Sequence, residues 1–338
     1  MLIGHQRIWN FLTNSAAKNR LAHAYLFGGP AEIGKKTLAL EFAKWLLCAK
    51  IKLHPDSSLN GGTGEEKFAC GQCRSCQDIA KNQHPDVFVL QPRQEEKRGV
   101  IKTLEIGIDE IKTLRHQISL FPYSASHKIA VIDQAEWLTR EAANSFLKTL
   151  EEPSGKSLII LVSPAWQTLL PTIVSRCQLI RFSAVPEKEI FDKLSKEAKN
   201  IKVLNRIVKL SAGRPGRALN LLREAGSLET LQQNIEIFKK ILKSDLAARF
   251  EVAQRLSQNS SLAQENLSQW LLWLRDKILE NNACQDLAIK IDGVSESTLN
   301  YPQKNLINSM REIQKTKVIL DNPSFNARLA LEVLMMKI

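Results

Sequence analysis

Three of the six cysteines, Cys70, Cys73 and Cys76, form a C-x2-C-x2-C run. Zinc takes four thiolates or imidazoles in a tetrahedron, and this spacing supplies three of them from one tight knuckle. The fourth ligand must come from elsewhere in the chain. Cys48 is the better candidate, and His84, which precedes Pro85-Asp86, is its competitor. A site of four thiolates is closed to substrate and therefore structural. Cys177 and Cys284 read as buried small hydrophobes.

A second group of residues has the chemistry of a phosphate loop. Gly29-Pro30-Ala31-Glu32-Ile33-Gly34-Lys35-Lys36 approaches the Walker A pattern G-x4-G-K-[ST]. Gly29 and Gly34 let the backbone curl so that its N–H groups face phosphate, and Lys35 would reach the β and γ phosphates. The next position should carry a hydroxyl for Mg²⁺, but it is Lys36, and the hydroxyl arrives one place late at Thr37. One helical step turns a side chain by about 100°, so Thr37 should not replace it. The acid that holds Mg²⁺ from a strand end would be Asp133. Its neighbour is Gln134 where a hydrolysing enzyme has Glu, and Glu136 is expected to point elsewhere.

These residues need elements to carry them. Short apolar runs at Ala24–Phe27, Asp86–Leu90, Lys128–Asp133, Leu158–Val162 and Gln178–Phe182 read as strands. Helical spacing covers Lys35–Cys48, a segment capped by Asp109, and Arg140 to about Leu150. Strands alternating with helices predict a parallel sheet wrapped by helices. After Pro186 only helices are expected, at about 187–198, 201–211, 215–225, 228–242, 246–257, 261–281, 302–319 and 325–337. The predicted domains are an α/β domain at 1–182 with the knuckle at 70–76, a small helical lid at 183–226, and an all-α domain at 227–338. Pro55–Gly64 reads as a Ser/Gly-rich loop inserted before the knuckle.

Composition narrows the function classes. The 338 residues are 44% hydrophobic and 24% charged, an ordinary globular balance. No run of 18 apolar residues is present, which excludes a transmembrane helix of the usual length. Met1–Asn10 lacks an apolar signal core, so export is not expected and the clustered cysteines fit a metal site in a reducing compartment. Lys and Arg total 47 against 35 Asp and Glu, a net +12 that permits a phosphate-bearing partner.

In combination these motifs resemble a known family. The phosphate loop, a helix ending Leu46-Leu47-Cys48, the knuckle, His84-Pro85-Asp86, Val131–Glu136, Leu147-Lys148-Thr149-Leu150-Glu151-Glu152-Pro153 and Ser175-Arg176-Cys177 follow one another as in bacterial DNA polymerase III clamp-loader subunits of the AAA+ class. Two branches compete: the ATP-hydrolysing tau/gamma branch and the delta-prime branch. Lys36, Gln134 and Gly216 stand where the first has a hydroxyl, a carboxylate and a sensor arginine, so the chain resembles the delta-prime branch.

The resemblance implies an AAA+ P-loop domain, a three-helix lid and a helical collar that joins subunits. It further implies structural Zn²⁺, with ATP/Mg²⁺ binding weak or absent. The implied partners are tau/gamma and delta subunits, the sliding clamp and primer–template DNA. The implied setting is the bacterial cytoplasm at replication forks, in a DNA-binding hetero-oligomer with no membrane contact. Arg176 would be an arginine finger supplied in trans to a neighbour's ATP. Taken alone, Arg176 reads as a surface salt bridge. Two other readings stay open: an active ATPase of the same fold, tau/gamma-like or an unrelated AAA+ loader, and a non-enzymatic zinc-containing nucleic-acid-binding protein.

Overall fold

A computed structural model of the chain describes residues 2–53, 68–97, 100–123, 126–153, 155–198, 200–223, 227–282, 284, 302–320 and 325–338. The Ser/Gly-rich loop expected at Pro55–Gly64 lies outside the described residues. The chain divides into two compact units.

The first unit comprises Met1–Arg93, Glu105–Glu197 and Ser211–Arg217. Its elements are, in chain order, α1 (Gln6–Ala17), β1 (Ala24–Gly28), α2 (Lys35–Leu47), α3 (Ala49–Leu53), α4 (Arg74–Ala80) and β2 (Val87–Leu90). A hairpin, β3 (Gln94–Lys97) and β4 (Val100–Thr103), falls in the other unit, after which come α5 (Ile108–Ser119), β5 (Lys128–Asp133), α6 (Arg140–Glu151), β6 (Ser157–Ser163), α7 (Pro171–Val174), β7 (Gln178–Arg181) and α8 (Glu187–Leu194).

The main sheet is parallel throughout, in the order β2-β5-β6-β1-β7. Its central strands are apolar on both faces, as a parallel sheet covered on two sides requires. Residues alternate between two cores because successive side chains in a strand point to opposite faces. Tyr25, Phe27, Ile129, Val131, Leu158, Ile160 and Val162 meet Trp9 and Leu12 of α1, Leu38 and Phe42 of α2 and Ile79 of α4. Leu26, Ala130, Ile132, Ile159 and Leu161 meet Ile111 and Leu114 of α5, Phe146 and Leu150 of α6 and Ile173 of α7. The five expected strands and the first long helix therefore form where the sequence placed them. One detail differs: Gly107, not Asp109, caps α5, and Asp109 lies in the helix's first turn.

The second unit holds the hairpin and residues Ala198–Leu210 and Ala218–Ile338. Its helices are α9 (Ile201–Ser211) and α10 (Pro215–Arg223), each with residues in both units, then α11 (Ser227–Ile241), α12 (Leu246–Ser257), α13 (Ser260–Asn281), α14 (Gln303–Leu320) and α15 (Ala327–Lys337). Phe238, Trp270 and Trp273 centre its core, with the Phe238 and Trp270 rings stacked at 4.6 Å. Polar residues between the helices act as N-caps: Asp245, Asn259 and Asn326 each accept a bond from a backbone amide three residues on. Among the described residues no helix is long and apolar enough to cross a membrane.

Candidate functional site

In an open parallel sheet, ligands sit beyond the carboxyl ends of the strands. Here those ends bring together Gly28 of β1, which leads into the phosphate loop, Asp133 of β5 and Ser163 of β6. The loop runs from Gly29 to Gly34, and Gly34 caps α2 with φ +101°, a conformation that favours glycine.

The loop is bonded to its own chain. Lys35 is 5% exposed, and its Nζ donates to the Gly29 and Pro30 carbonyls at 2.5 and 2.6 Å. The Glu32 carbonyl accepts from the Gly216 amide at 2.8 Å. The Ile33 carbonyl accepts from Nε2 of His5 at 2.8 Å, and the Gly34 carbonyl from the Leu38 amide. Burial lowers the Lys35 pKa to about 8, against the opposing pull of the Glu136 and Asp133 charges.

Lys36 turns toward the strand ends. Its Nζ lies 3.0 Å from Asp133 Oδ2 and donates to Gln91 Oε1 at 2.6 Å. Thr37 is exposed, as the helical step predicts. Gln134 is exposed too, in a left-handed conformation with φ 53°. Glu136 departs from expectation. Rather than pointing away, its Oε2 accepts from Ser163 Oγ at 2.6 Å, and its charge acts on Lys35 and Asp133. A short 3-10 turn over Ala135–Trp137 re-aims the side chain, which strand periodicity alone does not foresee. Burial raises the Glu136 pKa, while the Ser163 bond and Lys35 oppose that rise.

Gly216 stands close to the loop as well. A Cβ built on it would lie 2.6 Å from the Glu32 carbonyl oxygen. The position expected for a sensor arginine therefore has no room for a side chain in this arrangement.

Arg176 follows α7. Its Nε donates to Glu151 Oε1 at 2.7 Å, its Nη2 also pairs with Glu151, and its Nη1 donates to the Thr172 carbonyl at 3.0 Å. The side chain is about one-third exposed, at 34%. This is the ion pair that the residue taken alone predicts. Burial pushes the neighbouring Cys177 thiol up to about 12, so it stays protonated and inert.

The cysteine cluster assembles from three places. Cys48 caps the C-terminus of α2, Cys73 caps the N-terminus of α4, Cys76 lies within α4, and Cys70 lies in the preceding loop. All four sulfurs lie within 4.8 Å of one another, with Cys70 and Cys76 at 4.0 Å. Zinc–sulfur bonds of about 2.3 Å in a tetrahedron put sulfurs about 3.8 Å apart, so the thiols fit a tetrahedral metal. At Cys70 burial opposes ionisation, but the amides of Cys73 and Gln72 and the thiols of Cys48 and Cys73 outweigh it and bring the pKa to about 6. Burial, and then Cys73, push Cys76 the other way. His84 is not in the cluster: it is buried, and its Nδ1 accepts the Asp86 amide at 3.1 Å. Cys284, expected to be buried, is exposed, three residues beyond the last residue of α13.

Sequence reasoning missed Glu32, Gln91, Glu151 and Ser163. The last carried a faint signal, as a polar residue ending an apolar strand. The others depend on tertiary contacts that local sequence does not encode.

The chain matches the family model described as "DNA polymerase III, delta subunit" over residues 4–186. It is 35% identical over 248 residues to DNA polymerase III subunit delta-prime of Pseudomonas aeruginosa, covering 72% of this chain and 67% of the relative. It is 36% identical over 188 residues to the subunit of that name in Bacillus subtilis, covering 56% of this chain and 50% of the relative. The matched region thus spans two thirds of one relative and half of the other. Among solved structures, a DNA polymerase III gamma subunit-related protein from Thermotoga maritima aligns over 96% of this chain and 97% of its own, at 19% identity and a TM-score of 0.41.

Proposed function

This chain belongs to the DNA polymerase III delta-subunit family, and from that we propose that it is the delta-prime-type member of a bacterial clamp loader. In this reading it joins tau/gamma and delta subunits in a hetero-oligomeric AAA+ ring. The ring uses ATP held by other subunits to load a sliding clamp on primer–template DNA. This chain acts as stator and lends Arg176 to a neighbour's nucleotide, where a planar, permanently charged fork suits phosphate oxygens. The domain plan is an AAA+ domain at 1–182, a lid at 183–226 and a collar at 227–338. Cys48, Cys70, Cys73 and Cys76 would hold Zn²⁺, which when bound cross-links the fold and offers no open position for chemistry.

The observation that carries this reading is the self-bonded phosphate loop. Lys35 gives its protons to the loop's own carbonyls, and the carbonyls of residues 29, 30, 32, 33 and 34 all have donors within the chain. Phosphate would be held by the loop's amides, so what bears on nucleotide is Lys35, whose ammonium must leave those two carbonyls before it can reach a phosphate. Gln134 and Gly216 agree: Gln134 is exposed and has no carboxylate to take a proton from water, and Gly216 has no guanidinium for a leaving phosphate.

A tau/gamma-type ATPase remains the competing reading, because Lys35 and Asp133 are both kept. A zinc-containing nucleic-acid-binding protein without the loader fold does not account for the family match. Steady-state phosphate release separates the first two. The isolated chain should release none above background, while adding it to its partner subunits should raise DNA-stimulated hydrolysis. Release by the chain alone, abolished in Lys35→Ala, would return it to the tau/gamma branch.

A further inference from the structure

We propose that the Lys36 ammonium is a resident cation that fills a latent divalent-metal site beside Asp133. In a G-K-[ST] loop, the hydroxyl at this position and the strand-end acid flank Mg²⁺. Here the longer lysine side chain bridges that gap directly. Its Nζ is 3.0 Å from Asp133 Oδ2 and 2.6 Å from Gln91 Oε1. Both partners are hard oxygens of the kind a divalent cation takes, one charged and one neutral. They come from different strands: Asp133 ends β5, and Gln91 follows β2, its neighbour in the sheet.

The charge balance gives the same answer. Asp133 is shielded, with 14% of its side chain exposed, and a carboxylate removed from water needs a cation. Glu136 places a second carboxylate nearby, held by Ser163. Lys35 and Lys36 together match these two negative charges. Removing Lys36 leaves one negative charge in excess, flanked by neutral oxygens. The tethered ammonium has a high effective concentration at Asp133, so free Mg²⁺ does not displace it. This inference concerns the isolated chain and does not depend on its place in a loader.

The test uses the full chain without nucleotide and Mn²⁺ as probe, followed by electron paramagnetic resonance, with melting measured in millimolar Mg²⁺. Wild type and Lys36→Arg should leave Mn²⁺ free and melt alike with and without Mg²⁺. Lys36→Ser, and the equally neutral but longer Lys36→Gln, should bind Mn²⁺ at least about tenfold more tightly than wild type and melt higher in Mg²⁺. Adding Asp133→Asn to either should abolish the gain, which separates this site from the thiol cluster. Folded Lys36→Ser and Lys36→Gln chains as indifferent to both metals as wild type would overturn the proposal. So would Asp133-dependent Mn²⁺ binding by the wild type. If the neutral variants fold only in Mg²⁺ the proposal stands, and if Mg²⁺ fails to restore them it falls.

Discussion

The guanidinium of Arg176 is held along two edges, by Glu151 through Nε and Nη2 and by the Thr172 carbonyl through Nη1. A partly exposed pair of this kind contributes about 0–1 kcal/mol to folding. Arg176→Ala should therefore leave the melting temperature nearly unchanged. If the side chain serves a neighbour's ATP, it stabilises charge that grows on the transferred phosphoryl oxygens. The loss at that one site should be about 10³-fold or more. Total DNA-stimulated hydrolysis by the assembled loader should fall only in part, since other sites keep their own arginines. Arg176→Lys retains the charge but not the fork, so it should remain impaired. The measurement is steady-state hydrolysis by complexes that differ only at Arg176, with assembly checked by gel filtration. Equal rates in fully assembled complexes would leave Arg176 as a surface ion pair and nothing more.

At the scale of elements, the four thiols bring the end of α2 beside the start of α4, and α2 is the helix that begins at the phosphate loop. The same knuckle is seated on the core through Phe68, whose ring lies 5.0 Å from Trp9. In sites of this kind metal binding free energy becomes folding free energy, on the order of 10 kcal/mol or more. Elemental analysis should find one zinc per chain, and Cys73→Ser should lose it and melt well below wild type. His84→Ala should keep its zinc, because His84 lies outside the cluster. Metal-free protein with an unchanged melting temperature would sink the assignment. Three of the four cysteines were legible because their spacing is local, and the central strands β1, β5 and β6 because both of their faces are buried. Helix α4 was hidden inside the cysteine run, and α1 shows only Trp9 and Leu12 as fully buried residues. The tight approach of Gly216 to Glu32 joins residues far apart in the chain, and no local pattern announces it.

At the scale of the whole chain, the second unit carries apolar residues that its own core does not use. On α15, Leu331, Leu334 and Met335 are buried in that core. Leu329, Val333 and Met336, at spacings of four and three, share the opposite face and are 59%, 36% and 55% exposed. Phe325, just before the N-cap Asn326, is 58% exposed. A soluble helix normally sets charge on its outer face, and a contiguous apolar stripe marks a surface that another protein covers. In the loader reading, that cover is the helical domain of an adjacent subunit. The double variant Leu329→Glu, Met336→Glu puts two charges on this face without touching the buried one. Substitutions at such exposed positions usually change stability by within about 0.5 kcal/mol, so the isolated chain should melt as wild type does. Co-elution with tau/gamma and delta subunits on gel filtration should be lost or sharply weakened, because a charge buried in an interface without a partner is costly. DNA-stimulated hydrolysis should fall with it, even though Arg176 is intact. A folded double variant that still assembles at wild-type concentrations would show that subunits join through some other surface.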